Sequence, residues 1–422
     1  MKPLSLPLRI RILIAAVALL GGVSCANFSA SPTTEASATW VGSWSSAQLL
    51  AEGDKVLPME FKRDVTLRQI VRLSIGGSTL RLRISNVFGT EPLHVRALHV
   101  ARPFLLPSSQ IDPASDRAVT FNERANAVIP AGGELTSDPV TFAAEPLSSL
   151  AVTMQIETVP VQQTTHVASH TTSYLATKVP ASASKLSDAE SVDHWYFLSG
   201  IDVLTREGSA IVAFGDSITD GSGSTKNGND RWTDILAERL QRSAAHRSFA
   251  VLNVGIGGNR LLLDGNGPNA VARFDRDVLA RSGVRYLIVL EGINDLGMLT
   301  RDAAVPDNQH EDLVRRMINA YREIVTRART HGIKVIGGTL LPFAGFEYYH
   351  PGALNERDRQ QINAWIRTPG NFDAVVDLDK VMADPERPDR LKSEYDSGDH
   401  IHPSAAGYRA MGEAIAFKLF TR

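Results

Sequence analysis

The chain has 422 residues, 43% of them hydrophobic, and a formal net charge of −2. That size and apolar content suit a globular protein with room for two domains. The near-zero charge removes the electrostatic case for a nucleic acid or an anionic membrane surface, so no nucleic-acid partner is expected.

The amino terminus reads as an export signal over 1–26. Lys2, Arg9 and Arg11 precede an apolar stretch at 12–20, and small residues follow. The stretch is too short to span a membrane, which takes about 20 apolar residues. Cys25 is the single cysteine, so no intrachain disulfide can form. Two processing routes fit. Cleavage after Ala26 would use Ser24 and Ala26 as small recognition residues. Alternatively, Gly-Val-Ser-Cys at 22–25 resembles a bacterial lipoprotein box with lipid on Cys25, although Gly22 is a poor opening residue for it. Either route predicts a secreted or periplasmic protein, with a lipid anchor at Cys25 under the second.

Residues 27–39, rich in Ser, Thr and Ala, read as a linker. From 40 to 205 the pattern is β. Residues 68–75 alternate polar and apolar, Gly76 and Gly77 make a turn, and 80–85 alternate again, which predicts a half-buried antiparallel pair. Further strands are predicted at 93–100, 118–121 and 150–156. Short strands with turn signals and no long helical period imply an all-β sandwich or jelly roll. Trp40, Trp44 and Trp195 are assigned to packing rather than to sugar stacking. His166 and His170 lie in a Thr/Ser-rich stretch and read as ordinary polar loop residues.

From 206 to 422 strands alternate with helices. Helical periods run over 231–241, 311–330 (closed by Gly332) and 359–366, with strands at 333–338 and 372–378. This α/β alternation predicts a parallel sheet flanked by helices.

Four blocks here carry the chemistry. Ile-Val-Ala-Phe-Gly-Asp-Ser at 211–217 is an apolar strand ending in a turn that exposes Ser217, continued by Ile-Thr-Asp-Gly at 218–221. A second strand enters the glycine turn Gly257-Gly258-Asn259. A third, 287–290, ends in Glu-Gly-Ile-Asn-Asp at 291–295. Near the far end, Asp399 and His402 stand three positions apart. A serine hydroxyl needs a base to take its proton, a carboxylate to hold that base, and N–H donors to meet the oxyanion. Alone, each block has an ordinary reading: Gly-Asp-Ser is a common turn, Asp399 is a helix cap, and the glycines are a permissive loop. His400 and His402 as metal ligands would need partners that no other His or Cys cluster supplies. Neither a metal nor an organic cofactor is expected.

Four blocks in this order resemble the SGNH (GDSL) hydrolase superfamily, over about 207–422. The resemblance implies a flavodoxin-like three-layer α/β/α fold, Ser217 as nucleophile, His402 as base and Asp399 as orienting acid. It also implies Ser217, Gly258 and Asn294 as oxyanion donors. A β domain followed by these blocks is similar to a bacterial secreted subgroup, several members of which are associated with plant polysaccharides. The expected activity is therefore serine ester hydrolysis, removing acetyl groups from an acylated carbohydrate. A general carboxylesterase or lipase on short acyl esters is the first alternative, and a noncatalytic glycan-binding protein with a vestigial site the second. The segment 260–276, rich in Gly, Asn, Asp and Arg, predicts a polar, open cleft without a lipid-docking lid.

Overall fold

The computed structural model describes residues 38–421. The export signal and nearly all of the linker, Cys25 included, lie outside the described residues.

The β half is built on two antiparallel sheets. One runs in the order Thr39–Ser45, Leu198–Thr205, Gly77–Ser85, Glu134–Thr136, with Val140–Ala144 also on Gly77–Ser85. The other places Arg63–Arg72 between Ser173–Thr177 and Ser149–Thr158, with Leu93–Ala101 beyond. A three-stranded patch joins Trp195–Tyr196, Thr164–His166 and Leu49–Leu50.

The predicted pair at 68–75 and 80–85 does not form. Arg63–Arg72 and Gly77–Ser85 belong to different sheets, so the chain crosses the sandwich at the Gly76 turn. The alternation that suggested one wet face has another origin. Val65, Leu67 and Val71 enter the main core, while Ile70 joins a second apolar cluster with Ile111, Tyr174 and Leu186. Arg68, on that same outer face, is buried and donates to Thr153 Oγ1 and to the carbonyls of Ser109, Ala181 and Ala183. A polar residue that loop carbonyls satisfy is indistinguishable, in sequence, from one that water satisfies.

The α/β half holds a five-stranded parallel sheet in the order Phe249–Asn253, Ser209–Gly215, Val284–Leu290, Lys334–Gly338, Ala374–Val376. Numbered along the chain this is 2-1-3-4-5, the flavodoxin-like order, whose direction reverses beside its first strand and opens a crevice at the carboxyl ends. Trp232–Arg242 packs with Ala405–Ala414, and Asp307–Thr330 with Ala353–Arg367. The helices at 307 and 353 begin several residues earlier than their apolar periods, because their first turns bury a polar residue, His310 or Asn355, instead of an apolar one.

Both halves belong to one compact unit that begins at Ala38. Strand Thr39–Ser45 packs on Phe249–Asn253, the edge of the parallel sheet. The fit is close: a Cβ on Gly42 would stand 2.8 Å from Leu252. Val251 N donates to Ser74 Oγ at 3.1 Å and Gly42 N to Ser282 O at 2.9 Å, so the β half occupies an edge that would otherwise expose unpaired amides.

Candidate active site

Strand Ser209–Gly215 is buried throughout and delivers the chain to the crevice. Gly215 is required by contact: a Cβ there would lie 2.2 Å from Leu290 O and 2.3 Å from Thr219 Oγ1. Asp216 caps the short helix Ser217–Asp220, its carboxylate accepting from Ile218 N at 3.0 Å. Ser217 therefore opens that helix, where its own N–H has no intrahelical acceptor.

From 185 residues away, His402 Nε2 reaches Ser217 Oγ at 2.9 Å. His402 Nδ1 donates to Asp399 Oδ2 at 2.6 Å, and Asp399 Oδ1 accepts from the N–H groups of His402 and Ile401 at 2.9 and 3.1 Å. The carboxylate fixes the tautomer, leaving Nε2 bare toward the serine hydroxyl. Burial pulls the Asp399 pKa upward, but the bonds from the His402 ring and from these two amides outweigh it and hold the group below the usual carboxylate range. His400 is elsewhere engaged, with Nδ1 on Asp396 Oδ2 at 2.6 Å.

Of the oxyanion candidates, Asn294 is hydrogen-bonded to the glycine turn that holds Gly258. Gly258 has φ +70°, a conformation that favours glycine. Its neighbour Gly257 donates its N–H to Asp220 Oδ2 at 3.2 Å. Asn294 Nδ2 donates to Asn259 O at 2.8 Å, and its Oδ1 accepts from Tyr349 O–H at 2.7 Å. With Oδ1 held, the amide cannot turn over, and one of its two Nδ2 hydrogens is engaged by Asn259 O.

Three supporting groups were not legible in the motifs. Tyr349 lies 55 residues beyond Asn294. Arg273, read in sequence as part of a polar open cleft, is fully buried instead. It donates to Gly215 O (2.9 Å), Val254 O (2.7 Å) and Asn259 Oδ1 (2.9 Å), so one guanidinium ties the nucleophile strand to the glycine turn. Glu291 Oε2 stands 3.5 Å from it, and burial first, then the Asp216 charge, push the Glu291 pKa well up. The third is His166. It is a buried strand residue, not a polar loop residue, with Nε2 2.9 Å from Asp220 Oδ1. His170 does lie in a loop, half-buried.

Beside the relay, the Phe346 ring stands edge-on to His402 at 6.3 Å. Tyr348, 55% exposed, extends this ledge outward, and Arg301 donates to its hydroxyl at 3.1 Å. In the segment after the glycine turn, Leu261 is buried and Leu263 is 55% exposed, so the rim is less polar than its composition implies. Trp44 and Trp195 are buried against each other at 4.9 Å, consistent with packing.

A hydroxyl–imidazole–carboxylate line at the switch point of a parallel sheet is the arrangement of serine acyl hydrolases. Residues 213–410 match the GDSL-like lipase/acylhydrolase family. Among solved structures, the chain is similar to a GDSL-like lipase from Bacteroides thetaiotaomicron (20% identity, 49% of this chain and 85% of that one, TM-score 0.36). It is also similar to the aryl esterase of M. smegmatis (19%, 50% and 98%, TM-score 0.39). A carbohydrate acetylesterase from Sinorhizobium meliloti is a further likeness (18%, 50% and 98%, TM-score 0.38). No curated protein matches.

Proposed function

We propose that the protein is an exported serine ester hydrolase that removes short acyl groups, acetyl first, from carbohydrate esters. The observation that carries the hydrolase reading is the unbroken line Ser217 Oγ, His402 Nε2, His402 Nδ1, Asp399 Oδ2, with its 2.9 and 2.6 Å links. Ser217 Oγ attacks the acyl carbon while its proton passes to His402 Nε2. The carbonyl oxygen becomes an oxyanion facing the Ser217 and Gly258 N–H groups and the Asn294 amide. On collapse the C–O bond to the alcohol breaks, and the leaving oxygen takes the proton from His402. Water, deprotonated by the same ring, then attacks the acyl-enzyme and releases the acid and Ser217. Side chains and amides supply every step.

The alcohol must leave on the His402 side, where the Phe346 and Tyr348 rings offer a flat apolar face beside polar atoms. That supports a ring-shaped alcohol such as a pyranose. The same ledge would seat an aryl alcohol, which keeps a general carboxylesterase as the second reading. Export rests on the pattern at 1–26 alone.

The deciding experiment is a p-nitrophenyl ester series run beside acetylated xylan. Acetate should be the best acyl group and should leave the polymer. If kcat/KM climbs steadily from acetate to decanoate and the polymer keeps its acetate, the carbohydrate reading fails and the lipase reading replaces it. Each added methylene is worth about 0.8 kcal/mol only where an apolar acyl groove buries it.

A further inference from the structure

Asp220 lies three residues beyond Ser217, buried, and its two carboxylate oxygens point in different directions. Oδ2 accepts from Gly257 N at 3.2 Å, inside the turn that presents Gly258. Oδ1 meets His166 Nε2 at 2.9 Å. His166 comes from strand Thr164–His166 of the β half, and both side chains are only 4% exposed. The ring is gripped on its remaining sides: Nδ1 lies 2.7 Å from Ala47 O, and Trp195 stacks on it at 5.5 Å.

The proton count is informative. A carbonyl oxygen only accepts, so His166 Nδ1 must carry a hydrogen. The Nε2–Oδ1 contact therefore needs one more proton, on the imidazole or on the carboxyl, since two bare acceptors at 2.9 Å would repel. With either placement the bond is strong for its type, and the Asp220 side chain has a single orientation. A buried carboxyl without that partner would turn to seek another donor and release Gly257 N.

We propose that His166 is a positioning residue for ester hydrolysis: from the β half, through Asp220, it fixes the Gly257–Gly258 turn that aims the Gly258 N–H at the oxyanion. This rests on the reading of Gly258 as an oxyanion donor. It gives the β half a part in the chemistry beyond covering a sheet edge.

Two substitutions divide the ring. His166→Asn keeps a donor where Nδ1 stands, toward Ala47 O, and is too short to reach Asp220. His166→Gln carries its amide to the position of Nε2, toward Asp220, and gives up the Ala47 bond. Losing a whole oxyanion donor costs roughly 10²–10³-fold, so a misaimed one should cost about tenfold to a hundredfold. In the full-length protein with p-nitrophenyl acetate, His166→Asn should lower kcat by that factor, with KM within about twofold. His166→Gln should stay within about fivefold of the parent kcat. The rate of Ser217 labelling by a phosphonate should fall in step with kcat.

Parental kcat in His166→Asn overturns the inference. So do equal losses in the two variants, which would mark the ring as packing only. Should His166→Asn not fold, Asp220→Ala takes its place, and a parental kcat there overturns it equally. A different failure belongs to the hydrolase reading itself: parental protein without esterase activity, or Ser217→Ala that keeps it.

Discussion

Ser217 contributes one hydroxyl, and its usefulness depends on groups recruited from distant parts of the chain. Ser217→Ala should abolish ester hydrolysis while leaving the melting temperature close to the parent's. A serine-directed phosphonate should label Ser217 alone, and labelling elsewhere would reassign the nucleophile. Asn294→Ala should lower kcat roughly 10²–10³-fold with little change in KM, because its amide meets charge present only in the transition state. Tyr349→Phe is a milder probe of the same group. It removes the O–H that fixes Asn294 Oδ1, and a single net hydrogen bond is worth about 1 kcal/mol, so kcat should drop roughly fivefold. An unchanged kcat would show that Asn259 alone orients the amide. The Ser217–His402–Asp399 contact was legible because Ser217 closes an apolar strand and Asp399 stands three positions before His402. Tyr349 and Arg273 were not, because nothing local marks a tyrosine or an arginine whose partners are distant carbonyls and amides.

At the scale of elements, the turn from strand to helix at Gly215–Ser217 stores a buried acid. Burial raises the Asp216 pKa to about 7, partly offset by the Ile218 N–H. An unfolded Asp titrates near 3.8, so in the folded chain this group binds more protons than in the unfolded one between those values. Its contribution to stability is therefore present below pH 4 and lost as pH rises toward 7. Asp216→Asn keeps the cap and cannot ionise. Its gain in melting temperature over the parent should be larger at pH 8 than at pH 5, and a gain independent of pH would remove the assignment. The parallel strands were legible as apolar runs ending in turns, and helix Trp232–Arg242 from its period. The crossing between Arg63–Arg72 and Gly77–Ser85 was not. Two alternating strands and a Gly-Gly turn look the same whether the chain folds back in one sheet or passes to the facing one.

For the whole molecule, the edge strand Phe249–Asn253 has the β half on its open side, and Arg276 Nη2 donates to Gln48 O across the same boundary at 2.9 Å. A fragment of 206–422 should therefore be poorly soluble and inactive, while adding 40–205 as a separate chain should restore activity if the two parts associate. A soluble, fully active fragment would show that the β half is dispensable. The change from antiparallel to parallel strands was legible, since the two differ in patterning. That they share one unit was hidden, because the joining residues (Gly42, Ser74, Arg276) look like ordinary surface positions.

The first sheet also sets a timetable. Thr39 pairs with Thr205 and Ser45 with Gly200, so the first described strand has no strand partner until some 160 residues later have been made. Tyr286 O–H reaches Thr421 O, 135 residues further on. Contacts this distant in sequence carry a loop-closure cost before they return anything. Refolding from denaturant should therefore be slow, and a nascent chain should stay susceptible to protease until these distant partners have been made.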